Sequence, residues 1–224
     1  MSDDPRPRRG RPGYDRAQVL EVAVQLFNEQ GYDATSVADV AGRLGLTKSA
    51  LYHHFASKQE LLRLALDAAL DALEQVLESA LAEPGTASDH LRAVVRGAVA
   101  VLTERQPYVT LLLRVRGNTA VEQEALRRRR VFDQRVTALV RAAQEEGLVR
   151  ADIDAAVATR LVFGMVNSLV EWYRPDGPVD PDELARDVLT VVLDGLQSSV
   201  KFSVRASPRV QAGGAAASRT PGGR

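Results

Sequence analysis

The chain has 224 residues, 45% of them hydrophobic, and 29 basic side chains balance 29 acidic ones; this suffices for one large domain or two small ones and leaves no net field to draw a polyanion to the whole surface. It has no cysteine, which excludes a disulfide framework and a thiolate metal site. The polar, proline-rich start lacks a secretory signal, and no apolar run nears the ~20 residues of a membrane span, so a cytoplasmic protein without membrane contact is expected.

Residues 1–13, MSDDPRPRRGRPG, show no apolar periodicity and read as a disordered basic arm. Arg9-Gly10-Arg11-Pro12 is similar to the core of the AT-hook, whose arginines enter a narrow minor groove. A solvated tail and a groove-binding arm carrying Arg9 and Arg11 are both open readings. Asp15 with Gln18 marks a helix start, after which Leu20, Ala23, Val24 and Phe27 recur at helical spacing. Gly31 stands where a left-handed cap would end that helix. Ser36 with Asp39 opens a second helix that turns Val37, Val40, Ala41 and Leu44 inward, and Gly45 stops it. Thr47 caps a third helix with Leu51 and Phe55 inward, and Ser57 with Glu60 has the pattern of a capping box for a fourth. Two short helices about a glycine turn are the geometry of a helix-turn-helix, whose second helix enters a major groove.

The outward side chains of the third helix suit that task. Lys48, Ser49 and His53 can donate to base edges or phosphates, and Ala50 can meet a thymine methyl. Thr47, Tyr52 and Lys58 are types that grip phosphates, and Thr35 and Arg43 lie on the same segment. Residues from about 14 to 60 resemble the DNA-binding domain of the TetR family of bacterial one-component repressors. The likeness rests on Gly31-Tyr32, on Thr35, and on Gly45-Leu46-Thr47-Lys48-Ser49-Ala50-Leu51-Tyr52-His53-His54-Phe55-Ala56-Ser57-Lys58. Ser49 departs from the glycine that the family often carries there. The resemblance implies a homodimer on double-stranded DNA, controlled by a small-molecule effector.

The predicted fold class is all-α. A three-helix helix-turn-helix domain occupies 14–58, a helical bundle for ligand binding and dimerisation occupies 59–202, and 203–224 reads as a disordered tail. Beyond the first three, helices are expected over about 58–81, 87–104, a short stretch after Pro107, 120–146, 153–173 and 181–200. The eighth is apolar almost all round, which fits either a central helix of a monomer or one shared with a second copy. Val162, Met165, Val166 and Leu169, with Val188, Val192 and Leu196 of the ninth helix, are the candidate two-fold interface.

Inward-facing aromatic and polar residues of such a bundle can hold a small molecule. The candidates are Tyr108, Leu112, Arg114, Phe132, Arg135, Phe163, Asn167 and Trp172, each of which also reads as core or surface. The run Arg127-Arg128-Arg129-Arg130 is either a solvated helix end or, through Arg128 and Arg129 four and three residues before Phe132 and so on its side, a basic mouth for a phosphate-bearing ligand. Glu171-Trp172-Tyr173-Arg174-Pro175-Asp176-Gly177-Pro178 resembles a feature at the end of helix 8 in TetR-family members that look like sensors of acyl-coenzyme A thioesters. That resemblance makes an acyl-CoA the leading effector. No catalytic constellation is visible: His53 and His54 diverge on a helix, His90 stands alone, and phosphate-loop, dinucleotide and nucleophile-elbow motifs are missing. An enzyme, a metal and a cofactor are therefore not expected. The rival reading is an architectural DNA binder without effector, against which the long bundle after the reader module argues.

Overall fold

The computed structural model describes residues 15–197, except for the side chains of Asp194, Leu196 and Gln197. The expected arm with Arg9 and Arg11, the expected tail and the interface candidate Leu196 thus lie outside the described residues. All secondary structure described is helical: α1 Arg16–Gln30, α2 Val37–Leu44, α3 Lys48–His54, α4 Lys58–Ala82, α5 Ala87–Glu104, α6 Gln106–Arg114, α7 Ala120–Glu145, α8 Ala155–Trp172 and α9 Pro181–Gln197.

Local chemistry sets the helix starts. Asp15, Ser36, Thr86 and Thr119 each form a reciprocal capping box with the residue three positions on, satisfying N–H groups that a helix start leaves free. Ser57 caps α4, but Glu60 departs from the expected box: its carboxylate accepts the Ala56 N–H at 2.6 Å and pairs with Arg16 at 3.0 Å. The helix ends differ too. Gly45 adopts the left-handed conformation (φ 65°, ψ 27°), and the Leu46 N–H reaches the Ala41 carbonyl across it. Gly31 has φ 88° and ψ 149° rather than the left-handed cap expected, a region open essentially to glycine alone.

The helices α1, α2 and α3 close a small core of Val19, Val24, Phe27, Val40, Leu51 and Phe55, all at most 2% exposed. The long α4 leaves this reader module and becomes a wall of the bundle. Helix α5 packs against α4, α7, α8 and α9, and α6 bridges α1, α4, α5 and α8. Where α5 crosses α4, Gly97 lies so close that an added Cβ would meet Val76 Cγ1 at 2.4 Å.

Candidate functional site

The outer face of α3 carries the side chains expected to meet DNA. Leu51 is buried, while Lys48, Ser49, Tyr52 and His53 are exposed and Ala50 is half-buried. Thr47 is exposed and accepts the Ala50 N–H at 3.2 Å. The Lys48 ammonium stands 5.9 Å from the centre of the Tyr52 ring one turn on, so the two form a single cationic and aromatic edge. Arg43 is exposed but paired with Glu29 at 2.9 Å.

Two of the expected DNA contacts have other duties. Thr35 is 1% exposed, and its hydroxyl donates to the Gly31 carbonyl at 2.8 Å and lies 3.3 Å from that of Leu26. A buried β-branched hydroxyl that closes the end of α1 cannot reach a phosphate. Lys58 turns its ammonium inward to the carbonyls of Tyr32 (2.7 Å), Thr35 (2.9 Å) and Asp33 (3.4 Å), over the Tyr32 ring at 4.2 Å. An ammonium has three N–H donors, and all three face the chain's own α1–α2 turn. Lys58 is thus a clamp of the reader module rather than a free phosphate anchor.

The arginines of α7 are sorted by what faces them. Arg128 donates to both carboxylate oxygens of Glu74 at 2.7 and 3.0 Å, to Asp67 at 3.0 Å and to Asp71 at 2.5 Å, all on α4. Glu74 first and Asp71 next push its pKa further up, against desolvation. Arg135 pairs with Glu78 of α4, and Arg127 with Glu124. Arg128 and Arg135 are therefore neutralised and give no mouth for an anion, contrary to the sequence expectation. The signal was present as an acidic stripe at Asp67, Asp71, Glu74 and Glu78, spaced along one side of α4.

Arg129 and Arg130 face the other way. With Arg160 of α8 they border a groove of 440 Å³ between α7 and α8, and none of the three makes an ion pair or hydrogen bond among the described residues. Beneath it lies a small apolar cavity of 40 Å³ walled by Leu70 and Leu73 of α4, Val109 and Leu112 of α6, and Phe132 and Phe163. The two rings meet edge to face at 5.5 Å. Arg129, Asp133, Phe163 and Asn167 line both spaces and form the neck between them. Asp133 is exposed as a residue, yet desolvation of its carboxyl in the groove raises its pKa, opposed by Arg129 and Arg160.

The structure thus gathers the expected Leu112, Phe132, Phe163 and Asn167 with Arg129 and Arg130 of the arginine run, and it adds Asp133 and Arg160, which sequence reasoning missed. Tyr108 and Arg114 lie elsewhere. Tyr108 borders neither space, and burial and then Glu21 raise its pKa. Arg114 donates to the Asn28 carbonyl at 2.8 Å, while the Asn28 amide donates to the Pro107 carbonyl at 2.8 Å. These two bonds tie α6, a wall of the cavity, to α1 of the reader.

The expected two-fold face is also redrawn. Val162, Val166, Leu169, Val188 and Val192 are 2–6% exposed within one chain and fill its own core. The open apolar stripe of α8 is Val157, Leu161 (63% exposed), Met165 (36%) and Trp172 (50%), with Val191 (59%) on α9. Of the residues expected at the interface, Met165 is exposed and lies on this stripe. Trp172 moves from the cavity to this stripe, while its neighbour Tyr173 is buried. No helix among the described residues is long and apolar enough to cross a membrane.

Comparison with known proteins gives this geometry its setting. Residues 19–65 match the family described as bacterial regulatory proteins, tetR family, and residues 84–196 match the tetracyclin repressor-like C-terminal domain. The HTH-type transcriptional repressor KstR2 of Rhodococcus jostii is 31% identical over 211 residues, covering 88% of this chain and 96% of that protein. The crystal structure of SCO3833, a member of the TetR transcriptional regulator family from Streptomyces coelicolor, superposes with a TM-score of 0.75 at 51% identity, covering 80% of this chain and 91% of that one. AibR, crystallised in complex with isovaleryl coenzyme A and operator DNA, shares the fold at 24% identity and a TM-score of 0.68, covering 80% of this chain and 97% of that one. A reader helix exposed on a capped three-helix module, continued by α4 into a helical sensor, and matches over both parts make this chain a member of the TetR family of transcriptional regulators, not an enzyme.

Proposed function

We propose that this protein is a homodimeric repressor that leaves a palindromic operator when an anionic acyl thioester, an acyl-coenzyme A above all, enters between α7 and α8. The observation that carries this reading is the layout of the cavity. Three arginines that make no ion pair among the described residues border a groove that continues through a neck into an apolar space under Phe132 and Phe163. A phosphate-bearing head suits the arginines, and an acyl tail suits the space beneath. AibR is one protein of this fold that carries an acyl-coenzyme A and operator DNA. No comparable layout favours the architectural reading.

In the proposed dimer, the stripe of Val157, Leu161, Met165 and Trp172 meets its two-fold copy beside Val191 of α9. The two α3 helices then enter successive major grooves about 34–36 Å apart, with Lys48, Ser49, Ala50 and His53 near bases and Thr47 and Tyr52 at phosphates. Arg9 and Arg11 are proposed to follow the adjacent minor groove. An acyl tail must part Phe132 from Phe163, because 40 Å³ is little more than the space of one water. The walls opposite these rings belong to α4 and α6, which hold the reader and must give way as the space widens. A tilt of α4 alters the separation of the two α3 helices and makes simultaneous docking costly.

The test pairs two measurements on the purified protein: thermal stabilisation by a panel of acyl-CoA compounds, and release of genomic operator fragments. Ligand at about 100 times its Kd stabilises by about 2.7 kcal/mol. An active compound should do both. Absence of stabilisation and release across short, long and branched acyl chains would return the protein to the architectural class.

A further inference from the structure

Asp133 of α7 and Asn167 of α8 both line the neck where the basic groove meets the apolar cavity. Neither side chain makes a hydrogen bond among the described residues, and both are open to the groove, Asp133 exposed and Asn167 half-buried. Around them the walls change character, from Arg129, Arg130 and Arg160 outside to Phe132, Leu112 and Leu70 inside. A carboxylate at this place is unexpected in a groove built for an anion, since it offsets part of the arginine charge. It offers something that the arginines cannot, an acceptor for an N–H. Asn167 can supply the complementary N–H donor.

We propose that Asp133 and Asn167 read an amide in the linker of the effector, Asp133 accepting its N–H and Asn167 donating to its carbonyl. The inference rests on the acyl-thioester reading and narrows it. The effector carries an amide between its anionic head and its acyl group, as a pantetheine arm does, and a fatty acid or a simple acyl phosphate lacks the group that the neck recognises. The desolvation that raises the carboxyl's pKa also strengthens a hydrogen bond made to it there.

Isothermal titration of the full-length dimer tests this with two probes. One is butyryl-CoA, whose short acyl chain asks for little widening of the inner cavity. The other is the butyryl thioester of a mercaptoalkyl phosphate of matched length, which keeps a charged head and a thioester but has no amide. Asp133→Ala and Asn167→Leu should each weaken butyryl-CoA by about five- to tenfold, the worth of one hydrogen bond. Asp133→Asn, which retains an acceptor oxygen, should lose less than threefold. No variant should bind the amide-free probe more than twofold more weakly than the parent, and the Asp133 variants should bind it more tightly as the carboxylate's repulsion is lost, with circular dichroism and dimer mass unchanged. If the parent binds butyryl-CoA and the variants bind it equally well, or lose both probes alike, the amide pair is wrong and the thioester reading stands. If the parent binds neither probe, the thioester reading falls and takes the pair with it.

Discussion

At the scale of single residues, two lysines of similar appearance part company. Lys48 is exposed on the reader helix, whereas Lys58 spends its ammonium on three carbonyls of the α1–α2 turn. Lys48→Ala should make the salt dependence of operator binding shallower by about one unit, because one counterion-releasing contact is lost. Lys58→Ala should leave that slope unchanged and instead destabilise the reader by about 1 kcal/mol, since part-buried carbonyls lose a charged donor. Salt titration of operator affinity and thermal melts separate the two outcomes; a shallower slope for Lys58→Ala would return it to the phosphate contacts. Asp133 gives a pH signature. Its carboxyl pKa is raised in the fold by desolvation, so the folded state holds the proton more tightly than the unfolded chain. Stability from this group is therefore fully present at low pH and falls as pH rises through the carboxylate range. Asp133→Asn should raise the melting temperature at pH 7, and the gain should vanish below the ordinary carboxylate range. A gain that persists in acid would show that the charge at Asp133 carries no cost.

At the scale of elements, helix pairs fix what single side chains can do. The acidic stripe of α4 takes up Arg128 and Arg135, so the arginines that α7 presents to the groove are Arg129 and Arg130. The α4–α5 crossing depends on the missing side chain of Gly97, since Val76 Cγ1 lies 2.4 Å from where a Cβ would stand. Gly97→Ala should cost about 1–3 kcal/mol through overpacking, despite the higher helix propensity of alanine. A melting temperature at or above that of the parent would mean that the crossing yields without strain. The stripe on α8 is tested by Leu161→Glu. Leu161 is 63% exposed in one chain, so the change leaves the protomer folded, but in the proposed interface it buries a like-charged pair across the two-fold axis. Sedimentation should show monomers, with operator affinity reduced at least tenfold. A dimer of undiminished mass would move the interface elsewhere.

At the scale of the whole molecule, the cavity and the reader share walls. Leu70 and Leu73 on α4 and Leu112 on α6 line the inner space, and the same α6 holds α1 through Asn28, Pro107 and Arg114. The proposed switch is a coupling free energy of about 1–3 kcal/mol, and it must be reciprocal. Saturating operator should weaken acyl-CoA binding by the same factor by which the ligand weakens operator binding. Arg114→Ala, which frees α1 from one tie to α6, should shrink that factor without abolishing either binding event. Ligand affinities identical with and without operator would exclude this scheme and leave the bundle as a dimerisation device.

The sequence by itself determined the helical class, the helix starts and the identity of the reader helix. Those features depend on neighbours three or four positions away: the cap pairs Asp15–Gln18 and Ser36–Asp39, the turn at Gly45, and Leu51 with Phe55 facing the small core. Which polar groups stay free was decided only by segments distant in the chain. The acidic stripe of α4 occupies Arg128 from 54 to 61 positions away and leaves Arg129 open. The turn before α2 captures Lys58, and the bundle core absorbs Val162, Val166 and Leu169 while Leu161 and Trp172 remain outside. Periodicity reports that α8 is apolar nearly all round; it carries no record of which side its own chain covers, because that is set by the position of the helices packed against it.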